Sequence, residues 1–361
     1  MRRFFATALL LSLVCAPLVA FAEFPGPYLA CEAVGPAEPI CGFQNPEDLV
    51  PLPGNRALIV SEYGEVEGGK PGTLALLVLA TDTRRVLFRG GDATGAPHAG
   101  WGDPKCPGPP SAEFSPHGID LAPRSDGTLQ LLAVQHGGRE SVEFFEVTGA
   151  GADWKLAWRG CVLAPPDASL NEVVAVPGGG FLTTKMMSLA GGFEQLTEAS
   201  GPTGVVYEWS AVSGFREVGG TEGALPNGVE ISPDGKTIFL NLSMGNALRR
   251  VDRATGKIEG EAQVPAPDNV TWTPDGKRLL VASLRSLDPA EFTVCQGLER
   301  GACPLAFAIV AVDPVTLTTE TIFVGEGPPM GGGTVGLQVG DELFVGSFAG
   351  DRVLRVKLSE L

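Results

Sequence analysis

Pro226-Asn-Gly-Val-Glu-Ile-Ser-Pro-Asp-Gly-Lys236 and Pro267-Asp-Asn-Val-Thr-Trp-Thr-Pro-Asp-Gly-Lys277 align without a gap over 11 positions. In each, apolar residues alternate up to a Pro-Asp-Gly-Lys turn, and an apolar run follows: Thr237-Ile-Phe-Leu-Asn-Leu242 or Arg278-Leu-Leu-Val-Ala-Ser283. That pattern describes two antiparallel strands joined by a turn. Looser copies begin at Glu47, His117, Asn171 and Thr334, each with Pro or Gly at the sixth position beyond. Successive copies lie 70, 54, 56, 41 and 66 residues apart. A supersecondary unit recurring at such intervals marks propeller blades or a solenoid. Further strands are expected at Val142–Val147, Val205–Trp209, Ala306–Val312 and Val353–Leu358, and long amphipathic helical patterns are absent. The 49 glycines and 30 prolines supply the turns of an all-β fold. After the sixth hairpin only Val353–Leu358 remains, so a last blade lacks a strand, and a segment around Tyr28–Val34 is expected to close the ring. The expected fold is a six-bladed β-propeller with four-stranded antiparallel blades, in one domain spanning residues 23–361.

Residues 1–22 carry the features of a secretory leader: Arg2 and Arg3, an apolar run from Phe4 to Val14, and Ala20-Phe21-Ala22 as a cleavage site. Cleavage removes two arginines and no acid, taking the net charge from -16 to -18. A chain so acidic is not expected to bind nucleic acid. No later stretch is apolar enough to span a bilayer, and a periplasmic or secreted location follows. Six cysteines remain after cleavage, which allow 15 connectivities. The expected pairs are Cys31 with Cys41 and Cys295 with Cys303, which close short loops, and Cys106 with Cys161.

If each repeat starts the innermost strand of a blade, Glu47, His117, Asn171, Asn227 and Asp268 reach one level around a central channel. Two carboxylates, Glu47 and Asp268, with the amide oxygens of Asn171, Asn227 and Asn269, form a hard donor set that suits Ca²⁺ better than Zn²⁺. Of the three histidines, His117 stands at that level and His136 falls opposite it across the hairpin; the pair could hold a neutral base and relay its proton. His98 lies in a Gly/Pro-rich stretch and reads as loop or lid. There is no phosphate loop and no G-x-S-x-G elbow.

At Glu47-Asp48-Leu49, Pro116-His117-Gly118-Ile119, Val134-Gln135-His136, Leu170-Asn171-Glu172-Val173, Pro226-Asn227-Gly228-Val229 and Asp268-Asn269-Val270 the chain resembles the paraoxonase and arylesterase family. That family sits within the wider group of gluconolactonase-like and strictosidine-synthase-like six-bladed propellers, and the likeness covers nearly all of residues 23–361. The resemblance implies that Glu47, Asn171, Asn227, Asp268 and Asn269 hold a catalytic calcium and that His117 and His136 form a catalytic dyad. It also implies a second, structural calcium on Asp48 and the carbonyl of Ile119. Three features depart from the family: Glu172 stands where Asp is usual, Lys185-Met186-Met187 replaces an Asn-Asp-His stretch, and no C-terminal cysteine ties the chain ends together.

The function expected is an exported calcium-dependent hydrolase of lactones or aryl esters, with His117 deprotonating water and the rate rising through about pH 6 to 7. Glu47 or Asp268 is the alternative base. The competing expectations are a non-catalytic propeller with calcium as a plug, which has no need of paired histidines, and a strictosidine-synthase-like enzyme, which would want a carboxylate base in the channel.

Overall fold

A computed structural model describes residues 26–64, 70–92, 94–191, 201–287 and 289–361; the expected leader, residues 1–22, lies outside them. Six four-stranded antiparallel sheets form the blades of a propeller. From the channel outward, blade I runs Pro46–Pro51, Ala57–Glu62, Thr73–Val78 and Thr83–Arg89; blade II runs Pro116–Pro123, Leu129–Gln135, Ser141–Thr148 and Lys155–Leu163. Blade III comprises Ala168–Ala175, Phe181–Ser188, Val205–Ser210 and Gly214–Glu217, and blade IV Pro226–Ile231, Thr237–Leu242, Ala247–Asp252 and Ile258–Gln263. Blade V comprises Pro267–Trp272, Leu279–Leu284, Phe307–Val312 and Thr319–Gly325. Blade VI takes Gly333–Val339, Glu342–Ser347 and Arg352–Lys357 from the end of the chain and Ala37–Cys41 from its beginning. The helical segments among the described residues have at most four residues, and none is long and apolar enough to cross a membrane.

The duplicated turn explains the regularity. Gly235 and Gly276 take φ of 72° and 66°, and their amides donate to Ser232 O and Thr273 O at 2.8 Å. The hydroxyl of Ser232 or Thr273 then donates to the Asp two residues on, at 2.7 and 2.8 Å, locking the turn from within.

Between the turns, the middle strands of each blade are buried on both faces, because each blade is packed between two others, while outermost strands such as Ile258–Gln263 are largely exposed. Alternate residues of Leu279–Leu284 show this: Leu279 and Val281 join the cluster shared with blade IV, while Leu280, Ala282 and Leu284 join the one shared with blade VI. Six such interblade clusters follow one another round the ring. They turn burial on two faces, at about 25 cal/mol per Å² of apolar surface, into a ring in which every blade supports its neighbours.

Ring closure differs from the expectation in one respect. The strand that completes blade VI is Ala37–Cys41, paired from Ala37↔Val356 to Cys41↔Arg352, and not Tyr28–Val34. The chain reverses at Gly35, whose φ is 58°, and a Val34↔Ala37 bridge closes that reversal. Tyr28 instead bridges Ala302, in the long connection of blade V. Arg352, 1% exposed, holds the segment there by donating Nη1 to Ala30 O at 2.6 Å and to Pro329 O at 3.0 Å. The three disulfides are those expected: Cys31–Cys41, Cys106–Cys161 and Cys295–Cys303.

Without Ala37–Cys41 the edge of Arg352–Lys357 is unpaired, a template for association with other chains. A chain starting at Gly42 should therefore elute from gel filtration as aggregate and melt without a cooperative transition, whereas one starting at Gly26 should be monodisperse. A well-behaved, cooperatively melting truncation would contradict the closure described.

Candidate active site

Each inner strand is bulged at the residue that leads its repeat. Register breaks fall between Pro46 and Asp48, Pro116 and Ile119, Leu170 and Val173, Pro226 and Val229, Pro267 and Val270, and Gly333 and Val335. A bulge leaves a residue out of the ladder and re-aims its side chain. Two glycines allow the inner strands to approach at this level. A Cβ on Gly118 would lie 2.4 Å from Glu172 Oε1 and 2.6 Å from Asn171 O, and one on Gly228 would lie 2.6 Å from Asp268 O.

Glu47, Asn171, Asn227, Asp268 and Asn269 are all buried, none more than 9% exposed. Their nitrogens are engaged. Asn269 Nδ2 donates to Glu47 Oε1 at 2.9 Å, and Asn171 Nδ2 reaches Met186 Sδ at 3.6 Å and His117 Nε2 at 3.5 Å. Four of their oxygens are not: Glu47 Oε2, Asn171 Oδ1, Asn227 Oδ1 and Asn269 Oδ1 are buried without a hydrogen-bond donor. A buried acceptor left unmet costs about 1 to 3 kcal/mol, so four in one place call for a ligand. Among the described residues no three His, Cys, Asp or Glu side chains form a metal-holding group, so a cation here must draw on the amides as well. Carboxylate and amide oxygens in this proportion fit Ca²⁺.

Thr334, which leads the sixth repeat, contributes no such oxygen. Its hydroxyl donates to Glu47 O at 2.6 Å and locks blade VI to blade I.

Burial sets the charge state of these groups. It pushes the Glu47 carboxyl well above its usual range, with the charges of Asp48 and Asp268 adding to the effect and Asn269 opposing it. Asp268 rises to about 7, mainly through burial, against a hydrogen bond from Asn227. Asp48 also rises to about 7 through burial, although Ile119 N and Leu49 N each donate to it at 2.8 Å. Ile119 thus meets Asp48 through its amide. Glu172, buried and facing the charges of Asp48 and Glu47, is raised well above the carboxylate range while accepting from Val173 N at 2.7 Å.

His117 and His136 are adjacent, with His117 Nδ1 2.8 Å from His136 Nε2. The other nitrogen of His117 faces the oxygen cluster, 3.7 Å from Glu47 Oε1. Burial first, and the His136 charge second, hold His117 well below the usual imidazole range, so it is neutral at pH 7. The sequence did not point to two further groups. Tyr63 packs its ring 4.6 Å from that of His117 and edge-on to His136. Glu140 places Oε1 2.6 Å from His136 Nδ1. Its only local signal is its place four residues beyond a histidine.

His98 is not part of this site. Its amide donates to Arg159 O on the outermost strand of blade II, which places it in a peripheral loop.

The sequence matches no family profile and no curated protein. Among solved structures, a luciferin-regenerating enzyme is similar with a TM-score of 0.55 at 17% identity, over 89% of this chain and 94% of that one. A gluconolactonase from Xanthomonas campestris gives 0.52 at 15% identity over 93% and 96%, and regucalcin from Agrobacterium tumefaciens, a calcium-binding protein, gives 0.50 at 16% over 92% and 93%. At these identities what is shared is the fold.

The raised carboxylates have a consequence for stability. Between the unfolded value of 3.8 and the folded value of about 7, Asp48 and Asp268 hold more protons folded than unfolded. Stability in a chelator must therefore fall as pH rises through that window. Melting in EDTA should drop from pH 5 to pH 8. Calcium at 100 times its pH 8 Kd should restore about 2.7 kcal/mol at pH 8, and the same concentration should restore less at pH 5, where protons compete. Asp268→Ala should lose most of the calcium increment. A melting temperature that ignores both pH and calcium would exclude a cation site here.

Proposed function

We propose that the protein is a calcium-dependent hydrolase of lactones or aryl esters, similar in kind to the paraoxonase and arylesterase family, exported to the periplasm or beyond. One observation carries this reading. A neutral imidazole nitrogen, His117 Nε2, faces a cluster of unmet buried oxygens while its other nitrogen is held by a second histidine. Glu47, Asn171, Asn227, Asp268 and Asn269 would hold the ion. A calcium ion supplies polarisation of a carbonyl and stabilisation of the oxyanion.

The chain's own groups do the remaining work. His117 Nε2 takes a proton from water as the water oxygen bonds to the carbonyl carbon. The ring or ester C–O bond then breaks, and the departing alkoxide or phenolate oxygen takes that proton from His117 Nε2, which returns to its neutral form. His117 Nδ1 can share the added charge with His136 Nε2. Tyr63, 6% exposed, closes one side of the His117 ring against water. Met186, whose sulfur touches Asn171, together with Met187 and Leu225, forms an apolar cluster beside the site. Asp48 and the carbonyl of Ile119, with Glu172 beside them, are where a second, structural calcium would sit. Three disulfides suit an oxidising compartment.

The lowered His117 changes the expected pH profile, because the base is already neutral at the pH where a free imidazole titrates. The acid limb of the rate should lie well below the range in which a free imidazole titrates. On a panel of lactones and aryl esters with calcium, His117→Gln should cut kcat by roughly 10²-fold or more while leaving calcium-dependent melting intact. Full activity in His117→Gln would move the base to Glu47. A wild type that hydrolyses nothing on the panel would sink the hydrolase reading in favour of a binding propeller.

A further inference from the structure

Two imidazoles in series have no intrinsic direction, since each ring can carry its proton on either nitrogen. If His117 is to present a lone pair at Nε2, something must place the protons. Glu140 stands at the far end of the pair. An ionised carboxylate accepts hydrogen bonds and donates none, so at 2.6 Å it requires the proton of His136 to be on Nδ1. His136 Nε2 is then an acceptor. The nitrogen 2.8 Å away, His117 Nδ1, must donate to it. The one lone pair left on His117 is at Nε2, and Asn171 Nδ2 offers a hydrogen to that nitrogen at 3.5 Å.

Glu140 is itself held firmly. Its second oxygen, Oε2, accepts the Leu170 amide at 3.2 Å, from the residue before Asn171 on the inner strand of blade III. Its backbone carbonyl accepts from Ala164 at 3.0 Å. The neighbouring Arg139 is turned away, onto Glu143 at 2.7 Å and Gly108 O at 2.8 Å. The carboxylate thus bridges the histidine pair to the strand that carries one of the proposed calcium ligands.

We propose that Glu140 is the positioning residue of this site, making the pair a directed Glu140–His136–His117 chain whose one remaining lone pair, at His117 Nε2, faces the oxygen cluster. It touches neither substrate nor ion and acts through His136. The proposal rests on His117 being the base in the hydrolysis proposed above.

The test is Glu140→Gln, nearly isosteric and able to donate as well as accept, with Glu140→Asp as the conservative variant. The chain contains only three histidines, so ¹⁵N-histidine NMR at pH 8 resolves each ring, with exposed His98 as internal reference. Wild type should show both His117 and His136 protonated at Nδ1. In Glu140→Gln the two rings should move to a mixed or reversed pattern, with kcat falling roughly 10²-fold or more while KM and calcium affinity stay within about twofold. Glu140→Asp should regain the wild-type pattern and part of the rate. An unchanged ¹⁵N pattern in Glu140→Gln overturns the proposal. So does a loss of calcium affinity and melting temperature in step with activity, which would make the role structural. If wild type hydrolyses nothing yet Glu140→Gln still redirects the protons, the positioning role stands and the hydrolase reading falls.

Discussion

Oxygen atoms turned toward one another in a buried place, with no donor to meet them, are the condition on which the rest of this structure turns. Glu47, Asp48, Glu172 and Asp268 have no Lys or Arg partner among the described residues, and four carboxylate or amide oxygens beside them are unmet. Unpaired buried charge costs several kcal/mol per group, so the folded chain must either take up protons or take up a cation. The two alternatives tie stability, pH and ion binding together. They also explain why the inner strands are bulged and carry glycine at 118 and 228, because the oxygens converge only if the backbones come close.

Such convergence needs a frame that resists the repulsion it creates. The six interblade clusters provide it, each drawing side chains from two neighbouring blades. Ala37–Cys41 closes the circle, and Thr334 fastens the last blade to the first at the level of Glu47. A ring closed in this way can hold like charges near its axis, because relaxing one blade outward means opening packed surfaces on both sides of it.

The same burial acts in opposite senses on the two kinds of titrating group. It favours the neutral form of both, lifting Asp268 to about 7 and lowering His117 below the imidazole range. The outcome is a neutral imidazole next to carboxyls whose protons are held up to near-neutral pH. Packing of the Tyr63 ring against His117 belongs to the same desolvation.

Much of this was legible along the chain because its causes are local. Pro-Asp-Gly with a preceding Ser or Thr makes its turn within a few residues, and the spacing from each turn back to Asn227 or Asp268 follows from strand periodicity. Short loops between cysteines named two of the disulfides, and hairpin register set His136 against His117. What the tertiary structure alone decided involves partners far apart in sequence. Glu140 is held beside His136 with the help of the Leu170 amide, 30 residues on, and Tyr63 meets His117 because blade I lies against blade II. Ala37–Cys41, not Tyr28–Val34, closes the ring by pairing with Arg352–Lys357, and Arg352 binds the carbonyl of Ala30, 322 residues away. Turn chemistry and strand alternation are written in nearest neighbours, whereas the placing of a carboxylate beside an imidazole depends on how whole blades pack, which no short stretch of sequence encodes.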